Sequence, residues 1–263
     1  MITQIMKRLV FFTLLIFAGI HMQGQVRYGV KGGMNVSKFD KFTSNIPEIP
    51  DEFQNVELSN LYTVHAGGFA EIQIDGFFSV QPELLFSVKG THCRLSYAYV
   101  LIIPPNTGGY VVCRYIEEIT YTSCYIELPI YLKAGFEAGQ GKIIVGMGPY
   151  FAYGIAGKLK AELHEKELST FRTIGVVEKN VFTSDKLKVK VNNFFFPESE
   201  LKIEKDQLKR FDAGFGGFVG YELNRGFLVT AGFQKGLYNI DDFEDDRDKL
   251  RNNTFILSIG YKF

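Results

Sequence analysis

The sequence predicts an all-β fold: an eight-stranded antiparallel up-and-down transmembrane β-barrel with long outer loops. Three observations predict it. Eight segments alternate large apolar residues with small or polar ones, the period of a strand whose successive side chains point to opposite faces. The connections between segments alternate long and short, as in bacterial barrels with short periplasmic turns and long outer loops. Finally, no apolar face carries a charge at strand depth, although 22% of the 263 residues are charged, and charge on a lipid face is strongly unfavourable near mid-membrane. A soluble sandwich shares the first property but has no reason for the second.

The first segment, Val26 to Val36, sets Val26, Tyr28, Val30, Met34 and Val36 against Arg27, Lys31 and Asn35. After a polar loop, Val64 to Asp75 sets Val64, Ala66, Ala70, Ile72 and Ile74 against His65, Glu71 and Gln73. Asp75-Gly76 is a tight hairpin signal. It leads into Phe77 to Lys89, where Phe78, Val80, Leu84, Phe86 and Val88 oppose Ser79, Gln81, Glu83, Ser87 and Lys89. The fourth segment, Tyr121 to Phe136, has Ile126, Leu128, Ile130 and Leu132 on one face and Tyr125, Glu127, Tyr131 and Lys133 on the other. A short Gly-rich turn precedes Lys142 to Gly154, whose Ile143, Val145, Met147, Phe151 and Tyr153 oppose a largely Gly and Ala face. A long charged insertion spans 157–207, with Lys186 to Val191 alternating as further strand outside the membrane. The last three segments are Phe211 to Leu223, Phe227 to Leu237 and the terminal strand from Asn253, joined by an Asn-Arg-Gly turn and an Asp-rich loop.

The faces opposite the apolar ones carry Arg27, Lys31, Lys89, Lys133 and Lys262 with Glu71, Glu83, Glu127, Asp212 and Glu222, five of each sign. Eight strands enclose a space just wide enough for side chains to fill. The expected interior is therefore a paired polar plug and not an open pore. Pro82, Pro129 and Pro149 fall inside strands, where a missing N–H argues against the ladder unless bulges absorb it.

Residues 1–24 read as a cleaved signal peptide, with Lys7 and Arg8 before the apolar run Leu9 to Ile20 and the small residue Gly24 before the cut. Residues 25–263 form the barrel domain, placed in the outer membrane of a Gram-negative bacterium. Beyond the amino terminus no apolar run reaches the length of a transmembrane helix. The 29 basic and 29 acidic residues balance; loss of Lys7 and Arg8 leaves 27 against 29, a net charge of −2. A nucleic-acid footprint is absent. The expected partners are outer-membrane lipid and lipopolysaccharide, a protein at the outer loops, and the barrel-assembly machinery. For the last, the alternation Phe255, Leu257, Ile259, Tyr261 and Phe263 is the expected C-terminal insertion signal.

Cys93 and Cys113 bracket one predicted loop and are candidates for a disulfide, which export permits; three unpaired thiols, with Cys124, are the alternative. No cofactor or metal-ligand spacing is present. The Asp-rich stretch 241–248 lacks the EF-hand spacing and its Gly, and reads as a solvated loop bridged to lipopolysaccharide by divalent ions. His65 and Glu71 share a strand face six residues apart, too far for one site. A Ser/His/acid set would need Ser87 or Ser258 from another strand, so His65 reads as part of the plug and no catalytic residue is assigned.

Gly29-Val30-Lys31-Gly32-Gly33-Met34-Asn35, Gln81-Pro82-Glu83-Leu84-Leu85-Phe86-Ser87, Ile126-Glu127-Leu128-Pro129-Ile130-Tyr131-Leu132-Lys133 and Gly148-Pro149-Tyr150 resemble the PorT-like, porin-family outer-membrane β-barrel proteins. Asp212-Ala213-Gly214-Phe215-Gly216 and Gly236-Leu237-Tyr238-Asn239-Ile240 fit the same ordered pattern. The resemblance implies an eight-stranded outer-membrane barrel and places the three prolines where that family has them. The insertion at 157–207 and the loop between the cysteines depart from the pattern. The function expected is a non-enzymatic barrel that is structural, adhesive or accessory to transport or secretion. The alternatives are a membrane-embedded lipid-modifying hydrolase or acyltransferase, and a small-solute pore.

Overall fold

A computed structural model describes residues 26–40, 54–102, 110–167, 170–182, 187–191, 199–203, 208–241 and 249–263. The segment read as a signal peptide lies outside them. Among the described residues eleven strands run in chain order: β1 (Val26–Phe39), β2 (Gln54–Gln73), β3 (Phe78–Ile102), β4 (Tyr110–Ala138), β5 (Gly141–Glu167), β6 (Thr170–Lys179), β7 (Leu187–Val191), β8 (Ser199–Ile203), β9 (Phe211–Leu223), β10 (Phe227–Gly236) and β11 (Asn252–Lys262). Eight of them close a ring in the order β1-β2-β3-β4-β5-β9-β10-β11, every neighbouring pair antiparallel. The seam is β1 on β11, in register from Gly29 opposite Lys262 to Phe39 opposite Asn252. No described residue is helical.

Short turns cluster at one end, the periplasmic end in barrels of this kind. Asp75 Oδ1 accepts the backbone N–H of Phe77 at 2.8 Å and of Phe78 at 2.6 Å, and those two bonds hold its carboxyl below the usual carboxylate range. Gly139 (φ 60°) and Gly226 (φ 90°) take the left-handed backbone that the other two turns require.

The strands are much longer at the other end. β2, β3, β4 and β5 hold 20, 25, 29 and 27 residues, where roughly 9–11 cross a bilayer. The outer connections expected to be loops are thus largely strand. β3 and β4 stay paired as far as Ile102 opposite Tyr110. β6 adds to the outer part of β5, while β7 and β8 form a separate two-stranded sheet inside the insertion. Apolar alternation stops at the edge of the membrane, but the ladder does not. On β4 the even-numbered Ile126, Leu128 and Leu132 are exposed toward lipid; farther out it is the odd-numbered Ile119 and Tyr121 that are apolar and buried. The apolar face changes from outside to inside while the strand continues.

The three prolines are absorbed without slippage. Pairing of β3 with β4 skips from Pro82–Ile130 to Leu85–Glu127, and that of β4 with β5 from Pro129–Tyr150 to Leu132–Met147, with no change of register. Pro149 keeps its place opposite Phe215. The register shifts lie elsewhere: an extra residue on β2 between Asn60 and His65, one on β5 at Ile155 opposite Cys124 and Tyr125, and one on β6 at Ile174 opposite Leu163 and His164.

Cys93 is a free, buried thiol. The register sets it opposite Ile119 and sets Cys113 opposite Tyr99, six positions farther along the same hairpin. At ~3.3 Å per residue that is roughly 20 Å, beyond disulfide reach, so the expected bridge is corrected even though the Cys113 side chain lies outside those described. Burial, with help from Glu117, pushes the Cys93 thiol up to about 12, which keeps it inert.

Inward glycines make room for inward rings. A Cβ on Gly146 would fall 2.5 Å from the Phe218 ring, which stands edge-on to Tyr131 at 5.1 Å between centroids. Gly146→Ala is expected to cost ~1–3 kcal/mol through overpacking, and Phe218→Leu in the same chain to recover most of it. Urea unfolding of the protein folded into lipid vesicles measures both.

Candidate functional site: a lumen sealed by two layers

Inside the membrane the usual distribution of residues is inverted. Val30, Leu84, Met147, Val229 and Ile259 are half exposed or more, while Lys89, Glu83, Glu127 and Asp212 are at most 1% exposed. Phe255, Leu257, Ile259, Tyr261 and Phe263 all point outward from β11 or just beyond it. Such an apolar exterior is stable only against lipid.

The charged layer fills the periplasmic half of the lumen. Lys133 Nζ lies 2.8 Å from Glu71 Oε2 and 3.3 Å from Glu222 Oε2. Lys262 Nζ lies 2.9 Å from the same Glu71 oxygen and also bonds Glu222. Two lysines and two glutamates from β2, β4, β9 and β11 thus alternate around a square. Lys31 pairs with Glu83 at 2.5 Å, and Lys89 with Glu127 at 2.5 Å. Lys89 also donates to Gln234 Oε1 at 2.9 Å and sits 4.5 Å from the centre of the Tyr150 ring. Asp212 takes hydrogen bonds from Asn252 Nδ2 at 2.9 Å and Tyr150 OH at 3.3 Å.

Lys31, Lys89, Lys133, Lys262, Glu71, Glu83, Glu127, Asp212 and Glu222 all point into this layer. Arg27 is the correction: it is exposed at the periplasmic rim, where it lines a cavity of about 190 Å³ with Lys142. The floor of that cavity is the square of charges. Alternation placed Arg27 on the inward face correctly, but at the first turn of the barrel that face opens to water.

The second layer was not foreseen. Above the charges, Tyr125, Tyr150, Ala152, Tyr121 and Leu159 form an apolar cluster with Phe39, Leu208, Ile240 and Leu250. Into it fold Val181 and Phe182, which follow β6 in the charged insertion and are 0% and 4% exposed. Phe182 stands edge-on to Tyr125, with Arg210 over its ring at 5.2 Å. The N–H of Val181 donates to Gly157 O at 3.4 Å, Leu208 donates to Val181 O at 2.8 Å, and Lys209 donates to Ile240 O at 2.7 Å. These bonds hold Val181 and Phe182 against the apolar cluster. In the sequence Val181-Phe182 is one of several apolar stretches in the insertion, beside Val176-Val177 and Phe194 to Phe196, and nothing local singles it out.

His65 joins three strands. Its Nδ1 is 2.8 Å from Asn35 Oδ1 and its Nε2 is 2.9 Å from Ser258 Oγ. Asn35 Nδ2 donates to Ser87 Oγ at 3.0 Å. The structure therefore brings both candidate serines to this group, with Glu71 engaged instead by the two lysines.

Beyond the membrane the outer parts of β2, β3, β4 and β5, with β6, make a five-stranded sheet. One face packs on the apolar cluster; the other carries Glu57, Arg94, Glu118, Lys158, Lys160 and Glu178. Lys158 pairs with Glu178 at 2.8 Å and Arg94 with Glu118 at 3.5 Å. A bond from Lys160, with smaller pulls from His164 and His92, holds the Glu162 carboxyl below the usual range. The Asp-rich residues 242–248 and the aromatic run 194–196 lie outside the described residues.

Residues 17–242 match the outer membrane protein beta-barrel domain. The chain belongs to that family. As a member it is an outer-membrane β-barrel protein, surrounded by lipid. No curated protein matches the chain. Among solved structures it is similar to OprG of Pseudomonas aeruginosa, with 11% identity over 91% of this chain and 97% of that one and a TM-score of 0.39. It is also similar to the attachment invasion locus protein Ail of Yersinia pestis, with 12% identity over 91% and 99% and a TM-score of 0.33. Likenesses so distant say nothing of what this outer-membrane barrel does. Its closed ring rests on its own ladder.

Removing one member of a buried ion pair strands the other. Lys89→Met is expected to cost ~3–5 kcal/mol because Glu127 then stays buried without its partner, and Lys89→Met with Glu127→Leu to recover most of that loss. The temperature at which the folded band disappears in heat-modifiability gels reads both variants.

Proposed function

We propose that this outer-membrane barrel conducts no solute and performs no catalysis, and that it anchors and displays a rigid extracellular sheet for contact with another molecule. Its role on this reading is adhesive, structural or accessory to transport or secretion. The observation that carries it is the double seal: a buried layer of ion pairs beneath an apolar cap that holds Val181 and Phe182. A solute must break both layers to pass. What remains to interact is the charged outer face of the sheet, positioned by strands continuous with the membrane anchor. The sequence likeness to PorT-like proteins favours the accessory role in secretion. On the same reading the lipid belt meets lipopolysaccharide in the outer leaflet, and β11 carries the signal read by the barrel-assembly machinery.

Purified protein in planar bilayers is expected to show no steady channels, and cross-linking on intact cells to trap a partner through the outer sheet. Steady conductance from the wild-type protein would overturn the sealed lumen.

One observation favours a second reading, a lipid-modifying hydrolase or acyltransferase. Ser258, His65 and Asn35 stand in the order nucleophile, base and orienting group. Against it, all three are at most 3% exposed, and a substrate carbonyl has no approach to Ser258 Oγ through the packed lumen. His65→Ala is expected to leave lipid A unchanged by mass spectrometry, and Ser258 to stay unlabelled by a fluorophosphonate probe. Labelling of Ser258 lost in His65→Ala would establish the enzyme instead.

A further inference from the structure

The outer face of the extracellular sheet brings an imidazole and two carboxylates together. The register sets Arg94 opposite Glu118 and Glu118 opposite Glu162, across β3, β4 and β5. His164 follows Glu162 by two residues and so shares its face. His164 Nε2 lies 3.7 Å from Glu162 Oε2 and 4.0 Å from Glu118 Oε2, and one donor atom from each residue falls within 4.8 Å of the others.

The carboxylates are oriented, not merely near. Lys160 Nζ binds Glu162 through Oε1, and Arg94 Nε lies 3.5 Å from Glu118 Oε1. Each acid is held by a cation on one oxygen and turns the other toward the imidazole. The His164 side chain is only 8% exposed, whereas both carboxylates are 30% exposed. A buried ring thus meets two partly exposed carboxylates.

We propose that His164, Glu118 and Glu162 form a binding site for a divalent transition-metal ion of borderline softness, Zn²⁺ first. A tetrahedral Zn²⁺ takes nitrogen and carboxylate oxygen at ~2.0–2.2 Å, which sets its donors roughly 3.3–3.6 Å apart. The two edges from His164 need to close by at most about 0.7 Å, and the edge between the carboxylates, which lies within 4.8 Å, by at most about 1.5 Å. Imidazole with carboxylates suits Zn²⁺, whereas Ca²⁺ asks for six to eight oxygens. The two carboxylates supply the anionic ligands, and Arg94 and Lys160 serve as outer partners that orient them. A fourth ligand would be water or a donor from a bound molecule. The site stands on this geometry whether or not the sheet recognises a protein.

The test uses the full-length protein without a histidine tag, folded in detergent micelles and stripped with a chelating resin. Zn²⁺ titrated calorimetrically is expected to bind with a stoichiometry of one. His164→Ala and the pair Glu118→Gln with Glu162→Gln are each expected to weaken it at least tenfold. Co²⁺ in place of Zn²⁺ is expected to give ligand-field absorption in the wild type that disappears in His164→Ala. Heat-modifiable gel mobility confirms that each variant is a folded barrel. Absence of binding, or equal binding by wild type and His164→Ala, overturns the proposal.

Discussion

Inside hydrocarbon no water is available to satisfy a backbone N–H or C=O, so a strand that enters the membrane must find a partner on both edges. The pairing of β11 with β1 supplies the last of those partners. Most other features follow from this closure. Eight strands enclose a lumen too narrow to hold a column of water once side chains fill it. Any inward charge must then be neutralised by another inward charge within a few ångströms. The square of Glu71, Lys133, Glu222 and Lys262 draws on four strands because only the closed ring brings them together.

Where the lipid ends, the same strands obey a different rule. Water now satisfies the outward face, so charges move there, and the inward face must exclude water by packing. Ile119, Tyr121, Leu159 and Ala161 do so in place of ion pairs. The switch needs no break in the backbone. A strand of 29 residues such as β4 serves two environments in succession, and the apolar cap and the charged plug are consecutive stretches of one interior.

This division also separates anchoring from recognition. The lumen is devoted to holding the ring together, and its polar groups engage one another, including the Ser258–His65–Asn35 chain. On the extracellular sheet, by contrast, His164 meets two carboxylates already steered by Arg94 and Lys160. The sheet continues the barrel, so its side chains are placed by strand register and not by loop flexibility.

The sequence by itself determined the class of fold, the lipid face of each strand and the identity of nearly every lumen charge. Those are consequences of a two-residue period, which is local and survives without knowledge of any neighbour. Only the tertiary structure decided how the charges pair, since Lys262 reaches Glu71 across 191 residues and His65 reaches Ser258 across 193. It also decided that Val181 and Phe182 join the apolar cap, that Arg27 stands at the wet rim, and that Cys93 and Cys113 stay apart. Beyond the membrane the period persists but its chemical sense reverses, so a reading that follows grease along the chain ends the strands too soon. The contacts that fill the barrel depend on ring closure and cross-strand register, which periodicity within one segment does not encode.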